Sequence, residues 1–77
     1  MQSVMICLNS IEKVKHFVNI ITRYDGDFDL SSGRYVIDAK SIMGIFSLDL
    51  SKPLRLDVHN DAIIDELKPL IAEYIAN

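Results

Sequence analysis

The side chains that could carry chemistry in this sequence are two serines at predicted helix starts, Ser10 and Ser41, and two histidines, His16 and His59. A hydroxyl at a helix N-terminus lies beside free backbone N–H groups and the positive end of the helix dipole, so a phosphate attached there is stabilised. A neutral imidazole can itself accept a phosphoryl group near neutral pH. These residue types allow phosphate chemistry, and their neighbours decide whether each one is an acceptor, a cap or a surface residue.

Ser10 is explained by helix capping. Asn9 or Ser10 can end a strand and cap the next helix, and Asn9 with Glu12 three residues later has the spacing of a capping box. A phosphate on Ser10 would be a stable ester and a poor donor. Glu12 at about 4 Å would also repel it by roughly 1 to 4 kcal/mol between bulk water and a partly shielded surface. We therefore predict a cap here.

Neither histidine is placed where a transferable phosphate would be held. His16 falls in the second turn of the predicted first helix, off its apolar stripe, where no free N–H group could cradle an oxyanion. His59 ends a predicted strand beside Asn60 and Asp61. We predict that both are solvated surface residues, and phosphoryl transfer through either one is the alternative.

The segment 39–48 combines a capping serine with large apolar residues. Ser41 begins a short predicted helix over 41–48, and a cap alone is enough to explain a serine there. Ile45 and Leu48 can enter the core, but a two-turn helix buries at most one face. Some of the side chains of Ile42, Met43 and Phe46 are therefore expected to be exposed, and exposed apolar clusters tend to bind partners. Partial burial of these three residues without a partner is the alternative.

Hydrophobic periodicity arranges these side chains on alternating strands and helices. The strands are predicted at 2–8, 27–31, 34–39 and 52–59, and the helices at 11–24, at 41–48 and from Asn60 or Asp61 to the end. Pro69 lies inside the last helix, where it costs about 3 kcal/mol, so we expect a kink near residues 65–69 or a helix restarted there. The order β-α-β-β-α-β-α predicts an α+β fold, with helices on one face of a four-stranded, mostly antiparallel sheet.

The helical stripes predict the core residues of the first and last helices. The first stripe comprises Ile11, Val14, Phe17 or Val18, and Ile21; the last comprises Ile64, Leu67, Ile71, and Tyr74 or Ile75.

Composition limits the classes of function. Seventy-seven residues fit a single domain over 1–77, and a net charge of −3 leaves no basic stripe for nucleic acid. No apolar run approaches the roughly 20 residues that span a bilayer, so we expect a cytoplasmic protein without a membrane partner. The single cysteine, Cys7, excludes an internal disulfide, and no zinc-type spacing is present. No metal or cofactor is expected.

Over essentially its whole length the sequence resembles the HPr family, the histidine-containing phosphocarriers of the bacterial sugar phosphotransferase system. The resemblance is most specific over residues 27–48, where segment 39–48 follows a strand that begins with Gly33-Arg34. It implies a two-layer open-faced sandwich with sheet order 1-4-2-3. The position of the family's phosphorylated histidine falls on Ser10, and its nearby arginine and proline fall on Glu12 and Lys13.

The resemblance also implies roles for the short helix. Ser41 matches the family's regulatory serine, which a dedicated kinase phosphorylates in organisms that carry one. The helix 41–48 corresponds to a surface that contacts enzyme partners, so Ile42, Met43 and Phe46 are the predicted partner-binding residues. The partners implied are phosphotransferase-system or regulatory proteins, with a serine kinase as a further one.

Three functional hypotheses follow. The first is a non-enzymatic, HPr-like protein, related to the phosphoenolpyruvate-dependent sugar phosphotransferase system, that has lost histidine phosphocarrier chemistry and serves as a regulatory or docking module. The second is an active phosphoryl carrier with a non-standard acceptor at His16, His59 or Ser10. The third is an accessory domain without any phosphotransferase partner.

Overall fold

The computed structural model describes residues 2–76 as a four-stranded antiparallel sheet with helices packed on one face. The elements in chain order are β1 (Gln2–Ile6), α1 (Ile11–Ile21), β2 (Phe28–Ser32), β3 (Tyr35–Asp38), α2 (Ile42–Phe46), β4 (Leu54–Val58) and α3 (Ile64–Leu70). One-turn 3₁₀ helices at Asp61–Ile63 and Ala72–Tyr74 flank α3. The strand order is β1-β4-β2-β3, which confirms the predicted α+β fold and sheet order.

The core lies between the sheet and the helices, because each strand presents alternate side chains to that side. In β4, Leu54, Leu56 and Val58 are buried and Arg55 is exposed. The helices contribute the predicted stripes, with Val14, Phe17, Val18 and Ile21 buried from α1, and Ile64, Leu67, Ile71 and Tyr74 buried from the C-terminal elements.

Ile11 is the exception, and its predicted burial is wrong. Its side chain is 61% exposed. It belongs to the first turn of α1 and lines a surface depression with Phe46 and Leu50, so it does not lie over the sheet.

A tight hairpin joins β2 and β3, which correspond to the strands predicted at 27–31 and 34–39. The register pairs Leu30 with Ile37 and Ser32 with Tyr35, which leaves Gly33 and Arg34 as a two-residue turn. Gly33 has φ of 59°, the left-handed value that such turns require at their first position and that glycine adopts without steric cost.

The observed elements are shorter than predicted at several ends. α1 stops at Ile21 rather than 24, because the N–H groups of Arg23 and Tyr24 bond three residues back in tighter turns. β4 ends at Val58, so His59 lies just beyond the strand and its N–H donates to the Asp27 carbonyl at 3.1 Å.

The predicted extent of the last helix is wrong, and of the two alternatives predicted near Pro69, a kink or a restarted helix, the restart is not observed. α3 runs unbroken through Pro69 and ends at Leu70, so the helix neither restarts at 65–69 nor continues to the end of the chain. The chain then turns back to pair with the end of β1, where Cys7 N–H donates to the Tyr74 carbonyl at 2.7 Å and Ala76 N–H donates to the Met5 carbonyl at 2.8 Å. These bonds satisfy backbone groups of an edge strand that a longer helix would leave open. Within residues 2–76, no helix has the length and apolar character needed to span a bilayer.

Candidate functional site

Ser10 caps α1. Its backbone is extended, with φ of −149° and ψ of 157°, and its Oγ accepts a hydrogen bond from Lys13 N–H at 3.2 Å. Asn9 accepts instead from the Lys13 ammonium, at 2.9 Å. Of the two candidate caps Ser10 is therefore the actual one, and the predicted box of Asn9 with Glu12 is wrong. The start of α1 is a capped helix end that carries an acidic residue, Glu12, in its first turn.

Ser41 caps α2 in the same way. Its Oγ accepts from Gly44 N–H at 3.1 Å, and its carbonyl accepts from Ile45 N–H at 3.0 Å. The helix ends at Phe46 rather than 48, although Leu48 is still buried. A Cβ on Gly44 would lie 3.2 Å from Ser41 Oγ and 3.5 Å from Ile37 Cβ, so the glycine lets α2 pack closely on its own cap and on β3. The Ser41 residue itself is exposed.

The apolar residues of α2 divide between the core and the surface. Ile45 is fully buried, whereas Met43 is 79% exposed and Ile42 and Phe46 are each 37% exposed. Residues three and four apart on a helix are neighbours, so these three exposed side chains form one face.

The exposed face of α2 continues onto the start of α1. Phe46 and Ile11 line one shallow depression of about 550 Å³ together with Asn9, Ser10, Leu50 and Ser51. We call the combined surface of Ile11, Ile42, Met43 and Phe46 the α1–α2 patch. The predicted exposure of α2 side chains is confirmed for Ile42, Met43 and Phe46, whereas the exposure of Ile11 was missed because its helical spacing predicted burial.

Asp49 lies in the loop that supplies Leu50 and Ser51 to this depression. The Asp49 carboxylate accepts hydrogen bonds from Ser51 N–H at 3.1 Å and Ser51 Oγ at 2.6 Å. These bonds hold the pKa of Asp49 below its ordinary value. Asp49 is therefore ionised at neutral pH, next in sequence to Leu50, which lines the depression.

His16 contacts the C-terminal segment rather than the start of α1. Its Nδ1 is hydrogen-bonded to the Tyr74 hydroxyl and lies 3.4 Å from a Glu73 carboxylate oxygen, and the His16 and Tyr74 rings meet edge to face at 6.0 Å. The imidazole is 61% exposed, as the sequence predicted. Its partners could not be predicted, because they come from the 3₁₀ turn that replaces the end of the expected helix.

The surroundings of His16 are acidic. Glu12, Lys13 and Glu73 line a pocket of about 480 Å³ with His16 and Tyr74. Burial, and then the Glu73 carboxylate, raise the pKa of Tyr74 to about 12. The phenol therefore keeps its proton at physiological pH. Two carboxylates against one ammonium make this pocket a poor receptor for a phosphate.

His59 lies on the sheet side of the molecule. Its Nε2 lies 2.8 Å from a carboxylate oxygen of Asp29 in β2. In the register of the sheet, Asp29 pairs with Asp57 of β4 and with Asp38 of β3. The buried Asp57 carboxylate accepts from Ser3 Oγ at 2.5 Å and lies 3.3 Å from the Arg55 guanidinium. No group of three or more histidine, cysteine or acidic residues within 2–76 could hold a metal ion.

Together, the strand order and the two capped helices define an open-faced sandwich of the HPr topology. Two crystal structures of phosphocarriers share it. HPr-C-His from Thermoanaerobacter tengcongensis has a TM-score of 0.77 and 22% identity, with 95% of this chain and 89% of that chain covered. The phosphocarrier protein HPr from Bacillus anthracis str. Ames has a TM-score of 0.71 and 22% identity, with 95% and 93% covered.

At this level of identity the two structures establish the fold alone. No protein-family model matches the sequence, and no curated protein matches it.

Proposed function

We propose that this protein is a docking or regulatory module that binds phosphotransferase-system or related regulatory proteins and does not carry phosphate on histidine. It is not an enzyme in this proposal. The main support for this proposal is that the exposed α1–α2 patch adjoins the start of α1, where no imidazole is present. Ile11 and Phe46 line one depression with Ser10, whose hydroxyl is occupied as a cap.

The α1–α2 patch supports docking, because large apolar side chains are exposed on adjacent elements. Such clusters on small soluble proteins usually mark contact sites for another protein. Met43 and Ile11 are 79% and 61% exposed, so a partner could cover most of both side chains. The likeness of the fold to HPr makes phosphotransferase-system proteins the first partners to test.

The hydrogen bonds of both histidines weigh against a carrier. His16 is bonded to Tyr74 beside Glu73, and His59 is paired with Asp29. Neither set of partners includes a backbone N–H at a helix start, the group that holds a phosphate anion. A phosphoryl group on His16 would also face the carboxylates of Glu12 and Glu73. Ser10 remains a poor phosphoryl donor on chemical grounds alone.

Regulation through Ser41 is a further part of the proposal. The hydroxyl is exposed at the start of α2, directly beside the α1–α2 patch. A phosphate there would add about two negative charges next to Ile42 and Met43 and would alter docking on that face. A Ser41→Ala variant that no longer takes acid-stable phosphate from a serine kinase would support this assignment. Unchanged labelling of that variant would contradict it.

A competition assay tests the docking proposal. The first steps of a phosphotransferase system are reconstituted from phosphoenolpyruvate, the first enzyme of that system and an authentic HPr. The present protein is then added in increasing amount. A docking module that occupies the first enzyme without accepting phosphate lowers phosphoryl flux to the authentic carrier. Unchanged flux, together with no measurable binding to the first enzyme or to other phosphotransferase proteins, would instead support an accessory domain outside that system.

A further inference from the structure

The face of the sheet opposite the helices carries a depression of about 290 Å³, which we call the sheet depression. Each strand contributes one residue to it, Met5, Arg55, Ser31 and Val36 in the strand order β1-β4-β2-β3. The register pairs Met5 with Arg55, Arg55 with Ser31, and Ser31 with Val36. Because directly paired residues point to the same face of a sheet, these four side chains form one row across it.

The Ser31 hydroxyl is buried without a hydrogen-bond partner. Within residues 2–76, its Oγ is the one buried side-chain nitrogen or oxygen atom to which no protein group bonds. A buried hydroxyl that has no partner has lost its hydration without gaining a bond in return. A ligand that accepts from this hydroxyl therefore gains a hydrogen bond without a further loss of hydration at Ser31. Ser31 lines the sheet depression, and a serine has three staggered χ1 positions through which its hydroxyl can turn toward a ligand there.

Arg55 places a positive charge beside this hydroxyl. The Cβ atoms of directly paired residues lie about 4.5 to 5.5 Å apart, so Arg55 and Ser31 occupy neighbouring positions in the row. Arg55 Nη2 lies 3.3 Å from a carboxylate oxygen of the buried Asp57, which orients the guanidinium. The Arg55 side chain is 57% exposed and a guanidinium has several N–H donors, so donors remain for a ligand.

The other walls of the sheet depression are apolar or small. Met5 and Val36 lie at the two ends of the row and are both exposed, and Pro53 and Gly33 also line the depression. Arg55 is the one charged residue among the described residues that line it. A guanidinium beside a hydroxyl binds a carboxylate through charge-assisted hydrogen bonds, and apolar walls bind a hydrocarbon chain.

A second row, of carboxylates, flanks the sheet depression and limits the charge of its ligand. Two residues along the strands from the first row, Asp57 pairs with Asp29 and Asp29 pairs with Asp38. Two residues of a strand span about 6.6 Å, so a second anionic group on a ligand would be repelled by this row. The charges therefore favour a ligand with a single negative charge over a phosphate or a dicarboxylate.

We propose that the sheet depression binds a small monocarboxylate with a short hydrocarbon chain. The carboxylate accepts hydrogen bonds from the Arg55 guanidinium and the Ser31 hydroxyl, and the chain packs against Met5, Val36 and Pro53. This inference does not depend on the proposed docking function, because the α1–α2 patch lies on the helices and the sheet depression lies on the opposite face of the sheet.

The test is a titration with sodium butanoate, followed by ¹H–¹⁵N correlation spectra at constant pH and ionic strength. Saturable shifts are expected for the amides of Ser31, Gly33 and Val36, with a Kd on the order of 1 mM. Butanol, which lacks the charge, and succinate, which carries a second carboxylate, are each expected to bind about tenfold more weakly or less.

Ser31→Ala distinguishes a ligand-binding hydroxyl from a structural one. It is expected to weaken butanoate binding about tenfold, because the hydrogen bond from the hydroxyl to the carboxylate is lost. Without butanoate, the midpoint of its urea unfolding is expected to equal or exceed that of wild type, since the hydroxyl has no bond to lose. Ser47→Ala makes the same chemical change at the end of α2 and should leave butanoate binding unchanged.

The role of the guanidinium needs a paired substitution. Arg55→Gln alone would leave the buried Asp57 carboxylate without its cation and would destabilise the fold. The double variant Arg55→Gln, Asp57→Asn replaces the ion pair with two amides and is expected to weaken butanoate binding about tenfold or more. Circular dichroism checks that it is folded.

Three binding results would overturn the proposal. They are butanoate that produces no saturable shifts, butanol or succinate that binds as tightly as butanoate, and a Ser31→Ala or double variant that is folded and has the wild-type Kd. A urea midpoint of Ser31→Ala below that of wild type would also contradict it, because the hydroxyl would then already have a stabilising partner in the free protein.

Discussion

Met43→Gln is the cleanest perturbation of the proposed docking surface. Glutamine keeps the length and the helix propensity of methionine but removes its apolar character. Met43 is 79% exposed, so the fold uses only a small part of this side chain. Burying a whole methionine is worth about 1.5 to 3 kcal/mol, so the substitution should lower the free energy of unfolding by only about 0.3 to 0.6 kcal/mol.

The effect on docking is expected to be much larger. A partner that covers the exposed 79% of Met43 gains about 1.2 to 2.4 kcal/mol, which corresponds to about a 7- to 50-fold change in Kd. Phe46 is a less decisive probe. It is only 37% exposed, so its substitution removes about 0.9 to 1.9 kcal/mol from the fold itself.

The assay is isothermal titration calorimetry against the phosphotransferase protein that binds in the competition experiment. Met5→Gln is the matched control, because it makes the same chemical change at a 43% exposed methionine on the other face of the sheet. It is expected to lower the free energy of unfolding by about 0.9 to 1.7 kcal/mol and to leave Kd unchanged. A folded Met43→Gln variant with wild-type Kd, or an equal loss for both variants, would refute docking through α2.

The remaining predictions concern the two caps and Tyr74. Ser10→Ala removes the acceptor for Lys13 N–H and should lower the free energy of unfolding in urea by about 1 kcal/mol, while Ser10→Thr retains most of it; equal stability of the two variants would contradict the cap. Ser41→Ala should lower the free energy of unfolding by a similar amount, because Gly44 N–H loses its acceptor. If Ser10→Ala destabilises the protein and Ser41→Ala does not, Ser41 does not stabilise α2 as a cap. The pKa of Tyr74 is raised from 10.0 to about 12, so its contribution to stability is complete below pH 10 and is lost as pH rises toward 12. The difference between the ultraviolet titration curves of wild type and Tyr74→Phe gives the titration of the Tyr74 phenol alone. A midpoint near pH 10 would show that burial and Glu73 do not raise its pKa.

Local patterns were sufficient to predict most of the fold. The alternation of Leu54, Leu56 and Val58 correctly predicted that β4 has one buried face. The short helix also followed from local chemistry, because a capping serine and one buried face account for Ser41 and Ile45. The strand order 1-4-2-3 required the family resemblance, since periodicity does not specify which strands are neighbours.

The errors arose where distant segments decide the outcome. Ile11 fits the helical stripe, but the first turn of α1 adjoins Phe46 and Leu50 at the surface. The C-terminal residues fit a continuing helix, yet their backbone groups pair with Cys7 and Met5. That pairing carries Tyr74 onto His16, so the partners of the histidine could not be predicted from its own neighbours in sequence.

The central claim is that the chain retains a docking surface but has no phosphate-accepting imidazole. The most direct measurement is incubation with radiolabelled phosphoenolpyruvate and the first enzyme of a phosphotransferase system, with an authentic HPr labelled in parallel as the positive control. The account predicts no acid-labile phosphate on this protein under conditions that label the control fully. Acid-labile label that disappears in His16→Gln or in His59→Gln would contradict it.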